Sequence, residues 1–148
     1  MLDNIRGSIY IRTAIKDDLT AVYGLMKQLS HHDFTREQFE DCFLYNLERR
    51  RVLVYEKDSY ICGCIIFNIH YHLHFSRKSV EIVNLVVDKN ARRRGIGKEL
   101  LAYIERIAIE NDCVCVEVAS GKRREDAHRF YEREGYVCNH YKLTKALL

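Results

Sequence analysis

Val80-Glu81-Ile82-Val83-Asn84-Leu85-Val86-Val87-Asp88, followed shortly by Arg92-Arg93-Arg94-Gly95-Ile96-Gly97-Lys98-Glu99-Leu100-Leu101, decides how this chain is read. The first stretch is apolar on both faces, the pattern of a strand buried inside a sheet. The second is a glycine-bearing turn opening into a helix, with Leu100, Tyr103, Ile104, Ile107 and Ala108 at helical spacing. A helix amino terminus offers unpaired N–H groups and a positive dipole end, so it can hold an anion. Gly95 and Gly97 let that backbone approach a phosphate unobstructed, and Arg92, Arg93 and Arg94 add positive charge beside it. The turn is neither a P-loop nor a dinucleotide fingerprint, because it lacks Gly-Lys-Ser/Thr and a third glycine. Alone, it also describes a tight strand-to-helix turn with a solvated arginine run.

On the amino-terminal side, Ile9 to Thr13 alternates and reads as a first strand. Leu19, Val22, Tyr23, Met26 and Leu29 follow a helical period after Asp17 and Asp18. Thr35 and Gln38 have capping-box spacing and open a second helix. Val52 to Glu56 and Tyr60 to about Tyr71 form a hairpin across Lys57-Asp58-Ser59. On the carboxyl-terminal side, Val114 to Val118 reads as a buried strand, and a short helix from about Arg124 to Glu134 ends at Gly135. Tyr136-Val137 and Tyr141-Lys142-Leu143 are expected to finish the sheet. The order is β-α-α-β-β-β-α-β-α-β-β, a mixed α/β (α+β) fold with a mostly antiparallel central sheet flanked by helices.

The chain has 148 residues, a size for one domain spanning 1–148. Hydrophobic residues at 47% and charged residues at 30% give a globular balance. A net charge of +3 is too small to argue for nucleic acid. No run reaches the roughly twenty apolar residues of a membrane helix. Met1-Leu2-Asp3-Asn4 lacks the layout of a secretion signal, so a cytoplasmic location is expected. Cys62 with Cys64, and Cys113 with Cys115, are two apart inside apolar runs and read as reduced core side chains.

The strand-turn-helix segment resembles the acetyl-CoA signature of the GNAT superfamily of N-acetyltransferases. Ala127-His128-Arg129-Phe130-Tyr131-Glu132-Arg133-Glu134-Gly135-Tyr136 resembles the family's Ala-x-x-Phe-Tyr-x-x-x-Gly-Phe/Tyr segment. The resemblance covers nearly the whole chain. It implies an acetyl-CoA cosubstrate and direct transfer to a primary amine of a small molecule or peptide. Arg92 to Gly97, with Lys98, would wrap the pyrophosphate through backbone N–H groups. The backbone of Leu85, Val86 and Val87 would pair with the pantetheine arm as an added strand. Tyr131 holds the position of the general acid that protonates the departing thiolate. Two positions depart from the pattern: Asp88-Lys89 replaces Asp-Pro, and Arg124 stands where an asparagine is common, so Arg124 or Lys122 would meet a phosphate instead. A homodimer accords with family habit. A non-catalytic acyl-CoA-binding module is the alternative that keeps the turn without the chemistry.

Amine acetylation needs a neutral nucleophile. A lysine-like amine has a reference pKa near 10.4, so exposing that form at pH 7 costs roughly 4–5 kcal/mol and calls for a base. Glu81 interrupts the apolar central strand, and alternation places it on the face of Val83, Leu85 and Val87. It is either that base or a wet-end residue paired with an arginine. A phenol of reference pKa near 10 can donate to a thiolate near 8.5, which makes Tyr131 a donor. His70, His72 and His74 share a strand face without an obvious fourth ligand, so no metal is expected. In the resembling fold His31, His32, Tyr71 and His72 border the acceptor.

Overall fold

The computed structural model describes residues 7–148, so the Met1–Asn4 reading lies outside the described residues. These residues form two compact units, one ending at Glu117 and the other running from Val118 to Leu148. The first opens with β1 (Ile9–Thr13), a 3-10 turn (Lys16–Asp18), α1 (Leu19–Leu29) and α2 (Arg36–Glu48). Then come β2 (Val52–Lys57), β3 (Tyr60–His72), β4 (Arg77–Val87), α3 (Ile96–Glu110) and β5 (Cys113–Val118). The five strands form one sheet in chain order, with the first three neighbouring pairs antiparallel.

Local chemistry sets the boundaries. Thr35 caps α2 by accepting from the Gln38 amide at 3.1 Å, while the Gln38 side chain accepts from the Thr35 amide at 2.9 Å. That reciprocal pair satisfies two donors that the first helical turn leaves orphaned. At the start of α1, the Asp18 carboxylate receives Arg12 at 2.8 and 3.0 Å and the Ile15 amide at 2.8 Å. Burial alone raises the Asp18 pKa, but the Arg12 and Ile15 hydrogen bonds outweigh it and hold the carboxyl below its usual range. This pair ties β1 to the helix that follows.

Each sheet face has its own cover. Val52, Val54, Cys64, Ile66 and Val86 share one face, packed against Val22, Leu25 and Met26 of α1 and Phe43 of α2. The other face carries Leu53, Ile65, Phe67, Val80 and Ile82, all buried, and receives α3. Gly63 sets how close α3 comes. A Cβ there would sit 3.1 Å from Ile96, 3.3 Å from Leu100 and 3.4 Å from the Val86 carbonyl oxygen.

A bulge interrupts β4. Ile66 pairs with Asn84 and the next residue, Phe67, pairs with Ile82, so Val83 has no partner on β3. Beyond Ile66, β1 and β2 have ended and the long β3–β4 hairpin continues without them.

The second unit contains α4 (Glu125–Arg133), and Gly135 turns the chain with φ +91°. The two strands expected after it do not form: residues 136–148 carry no regular structure. Val137, Tyr141 and Leu143 are exposed, so the alternation there has no surface to bury against. A pattern of period two makes a strand only where a ladder partner and a core receive it. The same unfilled demand corrects the reading of β5. Cys115 is exposed and Cys113 half-buried, whereas Cys62 and Cys64 are buried; all six cysteines are free thiols.

Candidate active site

The glycine turn is held at its root. Asp88, 4% exposed, accepts from the Asn90 amide at 3.0 Å and from the Tyr60 hydroxyl. Those two bonds, the Tyr60 one foremost, hold its carboxyl below the usual range. The Asp88 amide donates to Cys62 O at 2.8 Å, and the Ala91 amide to Asp88 O at 2.8 Å. The Lys89 amide donates to the Gln28 side chain at 2.9 Å, fastening the turn to the end of α1. Arg92 Nε donates to Val87 O at 3.2 Å.

Two left-handed residues then aim the chain: Arg93 at φ +64° and Gly95 at φ +80°. A Cβ on Gly95 would meet nothing within 4 Å, so that φ and the open space above it are what the glycine provides. The first helical bond of α3 runs from the Glu99 amide to Gly95 O at 3.0 Å. The amides of Ile96, Gly97 and Lys98 lie ahead of it, where a helix has no carbonyl of its own to offer. The side chain of Ile96 is buried, so only its backbone is available, and Val86 is likewise committed to the core. Leu85 and Val87 are half-buried, and Arg92, Arg93, Arg94 and Lys98 are exposed around the mouth. Fifteen residues of α3 stand behind these amides. The arrangement is a cationic, amide-lined anion seat at the end of β4.

Glu81 requires a correction. Simple alternation would set it beside Val83, Leu85 and Val87. The unpaired Val83 moves it instead to the face of Asn84 and Val86, paired across the ladder with Asn68. There its Oε1 lies 3.7 Å from His70 Nε2, with both side chains about two-fifths exposed (39% and 42%). His72 follows on the same face and shares a 2.8 Å hydrogen bond with Ser79 Oγ. Its ring stacks on Phe75 at 4.8 Å and lies 6.1 Å from that of His70. His74 meets His72 edge-on at 5.6 Å. No three metal-ligating side chains converge among the described residues.

The four residues expected at the acceptor do not form one group. His31 and His32 lie in the exposed loop after α1, whose last turn is bonded to Lys89 beyond the far end of β4. His72 pairs with Arg77 at the opposite end, and the strand between is 11 residues, or about 35 Å at roughly 3.3 Å per residue. Tyr71 points to the other face, 78% exposed, with the Lys78 ammonium 5.7 Å from its ring centre. The structure does group Glu81, His70, His72 and Ser79. The sequence pattern sets His70 beside His72 and His74 but gives no sign that Ser79 and Glu81 share their face. A hollow of about 550 Å³ at the hairpin end is lined by His72, Ser76, Arg77, Lys78, Asp112 and Val114, with Tyr71 and Leu73.

In the second unit Tyr131 is 9% exposed, with its ring 5.2 Å from Phe130 and 5.5 Å from Tyr136. Burial pushes its phenol above the ordinary value, against a smaller opposing pull from Arg124. The phenol therefore keeps its proton at neutral pH. Arg124 occupies the cap position of α4 and is exposed.

The family model of the Acetyltransferase (GNAT) family matches residues 14–136. The chain is also 34% identical over 139 residues to an aminoalkylphosphonate N-acetyltransferase of Salmonella typhimurium, covering 93% of this chain and 90% of that protein. Among solved structures, an aminoglycoside N-acetyltransferase, AAC(6')-Iy, in complex with CoA aligns with a TM-score of 0.83 at 17% identity, over 95% of each chain. The glucosamine-6-phosphate N-acetyltransferase of Arabidopsis thaliana aligns with a TM-score of 0.74 at 20% identity, over 95% of this chain and 99% of that one. An anion seat between a sheet strand and its following helix suits a phosphate-bearing ligand. The chain belongs to the GNAT family of acetyltransferases.

Proposed function

We propose that this enzyme transfers the acetyl group of acetyl-CoA directly to the primary amine of a small acceptor bearing a phosphonate or similar anion. The observation that carries the cofactor half is the left-handed Gly95 opening α3, with three free helical amides and Arg92, Arg93, Arg94 and Lys98 about it. A diphosphate fits such a seat by charge and by hydrogen bonding. In this reading the pantetheine arm runs beside Leu85 to Val87, and Arg124 serves a phosphate. The amine nitrogen forms the C–N bond at the thioester carbonyl as a base takes its proton, the C–S bond breaks, and Tyr131 protonates the thiolate. No acyl-enzyme forms, so no cysteine acts as nucleophile.

Two features support the acceptor half. One is the relative at 34% identity, whose name states an aminoalkylphosphonate. The other is the hairpin hollow, where Arg77 and Lys78, with one carboxylate, Asp112, gather beside Ser76 and His72. By contrast, the acidic residues of α2, Glu37, Glu40 and Asp41, are all exposed and read as a solvated face. We take the two compact units as one catalytic domain, since the family match runs through both.

Acetyl-CoA consumption over a panel of aminoalkylphosphonates, aminoglycosides, polyamines and peptide amines tests the reading. Aminoalkylphosphonates should give the highest kcat/KM. Gly95→Trp, which adds a side chain at a φ of +80°, should abolish acetyl-CoA uptake in calorimetry. Tyr131→Phe should lower kcat more than it weakens cofactor binding. Uptake of acetyl-CoA without transfer to any amine would leave the sensor module as the better description.

A further inference from the structure

We propose that His70 is the base that takes the proton from the attacking amine and that Glu81 is its positioning residue; this rests on the acetyltransfer reading above. His70 Nε2 faces Glu81 Oε1 at 3.7 Å across the β3–β4 ladder. With the Nε2 proton directed at the carboxylate, Nδ1 keeps its lone pair free. Such a separation exceeds a hydrogen bond, yet contacts of this kind commonly tighten when substrate is bound. Both side chains are open enough to meet a ligand, and the bulge at Val83 is what brings them to one face.

The chemistry favours the imidazole over the carboxylate acting alone. A reference imidazole near 6.5 lies closer to neutral pH than a reference carboxylate near 4.3, and a base works best near the operating pH. The groups facing His70 fit that task. From β4 come Glu81, Ser79 and Arg77; along β3 come His72 and Asn68. α1 covers the neighbouring Cys64, Ile66 and Val86 half of this face with uncharged Val22, Leu25 and Met26. His70 also stands between Glu81 and His72, which lines the hollow beside Arg77 and Lys78, so one acceptor could set its anion there and its amine here. The step balances: an amine proton moves to His70 Nδ1 as the C–N bond forms, the C–S bond breaks, and the thiolate takes its proton from Tyr131.

The test measures kcat and KM of His70→Ala, Glu81→Gln and the double variant against pH, using the best amine of the panel. His70→Ala should lower kcat about 100-fold at pH 7, while KM for acetyl-CoA stays within about twofold. That loss should shrink steadily toward pH 9, as the amine itself supplies its neutral form. Glu81→Gln should lower kcat less, and the double variant should be no worse than His70→Ala, since Glu81 acts through His70. A His70→Ala enzyme with kcat within about threefold of wild type, or with the same loss at every pH, overturns the assignment. Losses that simply multiply in the double variant overturn the positioning role of Glu81. Wild-type protein that transfers acetyl to nothing overturns the broader reading as well, which separates the two failures.

Discussion

One face of the β3–β4 ladder is really two surfaces. Its first half holds Cys64, Ile66 and Val86 under α1 and α2. Its second half holds Asn68, His70, His72, Arg77, Ser79 and Glu81 beyond the ends of β1 and β2. Both halves obey the same period of two. What differs is strand length: two strands outrun the rest, so the covering helices stop where the polar run begins. A buried surface and a chemical one are thus made from a single hairpin, with the bulge at Val83 near the join.

Substitutions in the two halves should behave in opposite ways. The largest effect on stability belongs to the covered half. Ile66→Ala leaves a void under α1 and should cost about 2–5 kcal/mol, read as a fall in the urea midpoint without a change in slope. A midpoint close to wild type would mean that the helices do not press on this half.

A smaller loss should come from the anchor at the covered side. Asp18→Asn removes the charge that receives Arg12 and should cost about 2 kcal/mol at pH 7. The sign follows from the lowered Asp18 pKa. Its contribution is complete above the unfolded value, near 3.9, and disappears as the pH falls through the lower folded value. Urea midpoints of wild type and Asp18→Asn should therefore converge on acidification, and a constant gap down to pH 2 would contradict this. The smallest effect belongs to the uncovered half. Asn68→Ala, directly across the ladder from Glu81, should stay within about 0.5 kcal/mol of wild type. A loss comparable to that of Ile66→Ala would erase the distinction between the halves.

Where signals are local, the sequence carried the answer. The Thr35–Gln38 cap, the Gly95 turn and the amphipathic α3 each depend on residues within about a turn of one another, and all three are present. The glycine turn and the Phe130-Tyr131 segment also brought the family into view, and the match over residues 14–136 bears that out. Cross-strand register was not legible in the same way. Nothing around Val83 signals that β3 will skip it, because the skip is a property of two strands together. For that reason simple alternation puts Glu81 on the wrong face and does not show His70, 11 positions away, as its neighbour. The Arg12–Asp18 pair and the close seat of α3 over Gly63 are likewise set in three dimensions. The carboxyl-terminal run failed for the converse reason: its alternation is genuine, but exposure of Tyr141 and Leu143 shows that no core receives it.

The unpaired residue in β4 also makes the strand unevenly tolerant of changes in length. Removing Val83 would restore regular pairing and leave Glu81 and Val86 facing as they do now. Losing a residue farther along the strand would turn over the stretch between that residue and Val83, sending apolar side chains to water and polar ones inward. Insertions and deletions among related chains should therefore gather at this one position of the hairpin, where a residue can come or go without inverting the pattern on either side.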